Sequence, residues 1–216
     1  MKNKIKQSTE ALKVVKDGDT IMIGGFLQCG QPEHLVRELV ATDVKELTTI
    51  SSDTGSMVTA NHELFKSGKV KKLMASYIGG NPMAGKFMHT GEAEVKLFPQ
   101  GTLAEKIRAG GAGLGGFLTP VGLGTIVEEG KEKITVDGKE FILELPLRAN
   151  VALVKADKAD KAGNLFISGA ARNFNVMMAT AADHVIAEVS EIVEVGEIDP
   201  NHVTVPGIFV DTLVKI

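Results

Sequence analysis

Apolar positions recur in two rhythms along this chain. Residues 8–16 carry Leu12 and Val15 at helical spacing, with Ser8 as a candidate N-cap. After the Asp17-Gly18 turn, residues 20–24 form a short β-prone run. From Pro32 to Ala41, Leu35, Val36, Leu39 and Val40 fall on one helix face. Strands are expected at Leu47–Ser51, Val70–Ile78 and Glu94–Phe98. Thr102 and Glu105 read as a capping box ahead of a helix ending near Arg108. Val151–Val154 and His184–Glu188 look like buried strands, with a helix through Met177–Ala182 between them. Strands alternating with helices predict an α/β fold, an open and mostly parallel sheet with helices on both faces.

One stretch breaks this rhythm. Residues 110–124 hold seven glycines in fifteen positions, yet are too apolar for a flexible linker. Lys133–Val136 and Lys139–Leu143 then flank Asp137-Gly138, a type I′ hairpin signal. Residues 110–145 are expected to be a glycine-rich loop and β-hairpin excursion from a single domain spanning 1–216.

Composition narrows the function classes. With 44% hydrophobic and 24% charged residues, 216 residues suffice for a substantial core. The net charge of −3 and the lack of a dense Lys/Arg block argue against nucleic-acid binding. No run offers the apolar length of a membrane span, and residues 1–16 contain no apolar signal core. A single cysteine excludes an intrachain disulfide and fits a reducing cytoplasm.

Candidate chemistry concentrates at DGDTIMIGGFLQCGQP, residues 17–32. A strand runs into Gly24-Gly25, Gly30 closes the loop, and a helix opens behind Pro32. Such loops let backbone N–H groups approach an anionic or carbonyl ligand without Cβ interference. The spacing fits neither a Walker A loop nor the dinucleotide fingerprint. Cys29 lies inside the loop with no histidine close in sequence, so a small packed loop residue is expected rather than a nucleophile. His34, His62, His89, His184 and His202 lack ligand spacing, and no metal site is expected; His34 is placed on an exposed helix face. Glu128, Glu129 and Glu194 sit in charged runs without the desolvation a carboxylate nucleophile needs. Gln100, in a turn between a strand and a helix, is a candidate polar residue lining the site. Arg172-Asn173-Phe174-Asn175 either lines a pocket or caps the helix behind it. Asp53, about 20 residues past the loop, supplies a ribose-binding acid for a rival nucleotide-dependent oxidoreductase. A stand-alone acyl-CoA or dinucleotide-binding module is a further alternative.

Taken together, these segments resemble the α (A) subunit of the family I CoA-transferases, the acetate or butyrate–acetoacetate group. The resemblance rests on DGDTIMIGGFLQCGQP, SSDTG (51–55), ASYIGGNP (75–82), 99–125, 143–160, AGNL (162–165) and ARNFN (171–175), nearly the whole chain. It implies a ping-pong transfer of CoA between an acyl-CoA and a short-chain carboxylate through anhydride and glutamyl-CoA thioester intermediates. It implies CoA as substrate, with no permanently bound cofactor. It places the CoA-binding loop on Gly24, Gly25, Phe26, Leu27, Gln28, Cys29 and Gly30, where Cys29 falls on a variable position. It places the nucleophilic glutamate on a β subunit, so this chain carries no catalytic nucleophile and works in a hetero-oligomer, α2β2 or α4β4.

Overall fold

The computed structural model describes residues 3–216. Residues 1 and 2, which the expected single domain includes, lie outside the described residues.

The core is one sheet of eight strands. Its first half is β1 (Thr20–Ile23), β2 (Leu47–Ser51), β3 (Val70–Ala75) and β4 (Glu94–Leu97). Its second half is β8 (Ala149–Asp160), β9 (Leu165–Phe166), β10 (Ala182–Val193) and β11 (Thr212–Lys215). In space the order is β11-β10-β8-β1-β2-β3-β4, and every pairing along that path is parallel. Only β9 runs antiparallel, against β8. The chain thus winds outward from β1 to β4, then returns to the other side of β1. The crevice at the carboxyl ends of β1 and β8 is the point of reversal, where open parallel sheets place ligands.

Alternation along each strand sorts side chains into two cores. Ile21 and Ile23 face α1 (Ser8–Ala11), α2 (Glu33–Ala41), α3 (Ala60–Lys66) and α4 (Pro82–Thr90). Met22 faces α5 (Gln100–Gly111) and α6 (Asn173–Thr180). Because both faces are covered, buried strands read as continuous apolar runs. No helix among the described residues is long and apolar enough to cross a membrane.

Several expectations need correction. Ser8 is the first residue of α1 rather than its cap, and donates Oγ–H to Glu38 at 3.2 Å. That helix ends at Ala11 and tightens into a 3-10 turn over Leu12–Val14. The capping box is not formed: α5 begins behind Pro99, with the Leu103 N–H donating to Pro99 O at 2.9 Å, and runs on to Gly111. Thr102 is buried with its hydroxyl unpartnered, and Glu105 pairs with Arg108 at 2.6 Å. β8 and β10 are twelve residues each, far longer than their apolar centres, because they pair with each other well beyond the end of β1. The unexpected α3 and α4 pack against the sheet with short apolar stripes, Ala60, Leu64 and Phe65 in one, Ala84 and Phe87 in the other.

The excursion is more than a hairpin. β6 (Lys133–Val136) and β7 (Lys139–Glu144) join through Asp137 and Gly138, both at positive φ as a type I′ turn requires. β5 (Phe117–Thr119), from the glycine-rich stretch, adds a third antiparallel strand.

Candidate active site

The loop after β1 lies at the point of reversal. Gly24 and Gly25 are buried, Phe26, Leu27, Gln28 and Cys29 are exposed, and Gly30 is half-buried. Phe26 and Cys29 exchange reciprocal backbone bonds of 3.0 Å, so Leu27 and Gln28 form a two-residue hairpin turn. Leu27 takes φ +52°, a left-handed conformation costing of order 1–3 kcal/mol for a residue with a Cβ.

The glycines answer first to the chain's own packing. A Cβ on Gly24 would sit 1.9 Å from Asn175 Oδ1, and one on Gly30 2.8 Å from Asn175 Nδ2. Asn175 is fully buried beneath the loop. It donates Nδ2–H to Gly30 O and Ala171 O, both at 2.8 Å, and accepts the Lys155 N–H at 3.0 Å. Asn173 donates to Cys29 O at 3.1 Å. Asn173 and Asn175 of the 172–175 cluster therefore hold the loop from below; Arg172 stands at the N-cap position of α6 without a side-chain cap bond, and residues 173–175 form the helix's first turn.

The helix behind the loop is also satisfied internally. The Leu35 N–H in the first turn of α2 donates at 3.0 Å to Glu188 Oε2, from β10. Lys155 Nζ holds Oε1 at 2.8 Å. The negative charge that a helix N-terminus favours is thus a buried side chain of this protein.

Across the crevice, the segment after β2 reaches the loop tip. Asp53, 4% exposed, accepts the Leu27 N–H at 2.6 Å and the Gly55 N–H at 2.8 Å. Both oxygens are thereby engaged within the protein, which removes the ribose-binding role on which the oxidoreductase alternative depends. Gln28 Nε2 donates to Ser56 Oγ at 3.2 Å. Gln100, exposed at the start of α5, shares this edge. The Ser76 hydroxyl is shared between Ser52 O, at 2.6 Å, and Gln100 Oε1. Gln100 Nε2 donates to no group among the described residues.

The remaining candidates fall away from this edge. Cys29 is exposed rather than packed, because the hairpin turn lifts its side chain off the sheet. His34 is half-buried, not on an exposed face. Glu128 accepts the Gly124 N–H at 2.7 Å and pairs with Lys133 at 3.0 Å, and these bonds hold its carboxyl below the ordinary range. Glu129 is exposed, and exposed Glu194 pairs with Lys161. Among the described residues, no group of three or more His, Cys, Asp or Glu side chains is arranged to hold a metal.

A cavity of about 350 Å³ lies on the flank, between β4, α5 and the small sheet, and contains Lys96, Lys106, Lys131 and Glu144. Glu144 is 1% exposed and bonds to Lys106 at 2.8 Å and to Lys131. Burial works against its ionisation, but the two lysines outweigh burial and hold its carboxyl low. Burial also pushes the Lys106 ammonium below its ordinary range, against the raising effect of Glu144. This group fastens the excursion to α5 and lies outside the loop edge.

The Coenzyme A transferase family matches residues 5–216. The chain belongs to that family. It is 49% identical to the acetate CoA-transferase subunit alpha of Escherichia coli K12, over 99% of this chain and 97% of that one. It is also 49% identical to the acetoacetyl-CoA:acetate/butyrate CoA transferase alpha subunit of Clostridium acetobutylicum, over 100% and 99%. Two solved structures share the fold. One is an acyl-CoA transferase from E. coli O157:H7, solved as a thioester complex with CoA, at TM-score 0.89 and 20% identity. This CoA-transferase chain is covered over 99% of its length there but spans only 47% of that longer chain. The other is glutaconate coenzyme A-transferase from Acidaminococcus fermentans, at TM-score 0.88, 22% identity, and coverage of 98% and 75%.

Asp53, Asn175, Lys155 and Glu188, which shape the loop of this CoA-transferase chain, had no place in the sequence-based site, or a different one. SSDTG and ARNFN were visible as polar segments, but nothing local marks them as neighbours of residues 24–30. Their partners lie 26, 145 and 153 positions away.

Proposed function

We propose that this chain is the α subunit of a heteromeric short-chain acyl-CoA:carboxylate CoA-transferase. Acetyl- or butyryl-CoA and acetoacetate or acetate are the substrates, and CoA is bound at Gly24–Gly30. The observation that carries this reading is the pairing of an exposed, preformed loop tip with exposed Gln100, whose Nε2 has no partner among the described residues, at the same sheet edge. No permanently bound cofactor is needed, and the reducing cytoplasm is the setting that suits an exposed Cys29.

The division of labour follows from where the glutamates lie. Glu144 and Glu188 are closed to solvent with both oxygens occupied, those of Glu144 by Lys106 and Lys131 and those of Glu188 by Lys155 and the Leu35 N–H. Neither can attack a thioester. The nucleophile is assigned to a β subunit, whose carboxylate attacks the acyl-CoA carbonyl and expels CoA thiolate, leaving a mixed anhydride. The thiolate then attacks the glutamyl carbonyl of that anhydride, releasing the free acid and forming glutamyl-CoA thioester. The incoming carboxylate reverses both steps.

Each addition places negative charge on a former carbonyl oxygen. The Ser76 hydroxyl meets Gln100 Oε1, and the Nε2 amide, which donates to no group among the described residues, is available to stabilise that charge. Phe26, Leu27, Met57, Val58 and Tyr77 expose an apolar rim around this edge, Val58 to 76%. The rim is the surface that CoA and the β subunit cover.

Co-expression with a β subunit, followed by assay of acetoacetate-dependent consumption of acetyl- or butyryl-CoA, tests this reading. Activity should require both chains, and borohydride inactivation in the presence of acyl-CoA should modify the partner. Modification of a glutamate in this chain would overturn the assignment.

A further inference from the structure

We propose that Asp53 is a positioning residue for the CoA loop: its buried carboxylate clamps Leu27 in a left-handed conformation and thereby sets the tip that meets CoA. The proposal rests on the reading of residues 24–30 as the CoA loop.

A two-residue hairpin turn with positive φ at its first central residue favours glycine there, yet this chain has Leu27, at φ +52°. The turn's own bonds, Phe26 with Cys29, favour that conformation but attach its tip to nothing outside the turn. Asp53 supplies that attachment. Its Oδ2 takes the Leu27 N–H at 2.6 Å, a charge-assisted bond that forms only when the Leu27 amide is turned inward.

The carboxylate is held in place by its own surroundings. Oδ1 accepts the Gly55 N–H at 2.8 Å, and Asp53 O accepts the Ser51 hydroxyl at 2.6 Å. Only glycine fits at 55, where φ is +68° and a Cβ would meet Thr59 Oγ1 at 2.3 Å. Two further tethers, Gln28 to Ser56 and Asn173 to Cys29, grip the tip from either side. With the Leu27 N–H used inward, the Gln28 N–H has no acceptor among the described residues. The clamp therefore presents that amide, with the Phe26 and Leu27 side chains, as a preformed surface, and preorganisation of this kind strengthens ligand binding.

The test uses the α–β complex. Asp53→Asn is isosteric but places an amide group against a donor. Hydrogen–deuterium exchange of residues 26–30 should accelerate about tenfold, and KM for acyl-CoA should rise about tenfold while kcat changes less than threefold. Leu27→Gly in the same chain should restore most of the KM, because glycine adopts positive φ without a clamp. A merely structural loss would not be rescued in this way. Should Asp53→Asn alone fail to assemble, the Leu27→Gly chain with and without Asp53→Asn gives the same comparison. The two should then exchange within threefold of each other; a tenfold gap overturns the clamp. Unchanged exchange in Asp53→Asn overturns the clamp as well. Faster exchange with an unchanged KM overturns instead the assignment of this loop to CoA, and the positioning role with it.

Discussion

Glu188, on β10, accepts the backbone N–H of Leu35, in the first turn of α2, at 3.0 Å across 153 positions of sequence. One buried carboxylate thereby joins the returning half of the sheet to the helix behind the glycine loop that follows β1. Lys155 balances its charge at 2.8 Å.

This junction should be costly to break. Glu188→Gln removes the charge while leaving Lys155 and the helix terminus in place. Because Lys155 is 29% exposed by side chain, water relieves part of the penalty, and about 2–4 kcal/mol of stability should be lost. Urea unfolding of wild type and variant measures this, and a difference under about 1 kcal/mol would contradict it.

Two glycines should respond in opposite senses to the same substitution. Gly24→Ala drives a Cβ to within 1.9 Å of Asn175 Oδ1 and should cost about 2–3 kcal/mol through displacement of the loop support. Gly85, inside α4, has nothing within 4 Å of an added Cβ. Gly85→Ala should therefore stabilise by about 0.5–1 kcal/mol, seen as a rise in Tm.

Acid should loosen the excursion before the sheet. The carboxyl of Glu144 is held below its ordinary 4.5, although burial alone would raise it, because Lys106 and Lys131 donate to it. Between the folded-state value and 4.5 the unfolded chain binds the proton first, so stability is full above 4.5 and falls as pH drops through the folded-state value. Glu144→Gln should flatten this acid limb while lowering stability at neutral pH by about 2–4 kcal/mol, since Lys106 stays buried without its partner. Denaturation curves at a series of pH values from neutral downward decide the point.

Chemistry should separate Gln100 from Cys29. Gln100→Ala removes the side-chain amide and should lower kcat about 10²–10³-fold in the α–β complex, with a much smaller effect on KM. Cys29→Ser should leave kcat within twofold, because the exposed thiol touches no polar partner that the loop depends on. A large kcat loss in Cys29→Ser would return the thiol to the mechanism.

Much of the fold was legible because its signals are local. β1, β2 and α2 lie where the apolar runs predict, and Asp137-Gly138 specifies its turn by itself. α3 and α4 escaped notice because each buries only a few apolar residues in a short helix. Thr102 and Glu105 match a capping box in spacing, but Pro99 had already started the helix three residues earlier. The loop was recognisable as a glycine-rich turn between strand and helix, although the reason for its glycines was not: the close approach at Gly24 and Gly30 is made by Asn175, a side chain from another element.

The sequence by itself determined the alternating α/β layout, the glycine loop after β1, and the resemblance of the chain to a CoA-transferase α subunit. All three are carried by contiguous residues, whose spacing or propensity is complete without reference to distant ones. Only the tertiary structure decided that Glu188 fills the helix terminus, that Asn175 fills the space beside two glycines, and that Asp53 holds Leu27. Those roles depend on the sheet order β10-β8-β1-β2, which brings the carboxyl ends of four strands together. Contacts between residues so far apart in the chain are set by the topology and leave no periodic trace in the sequence.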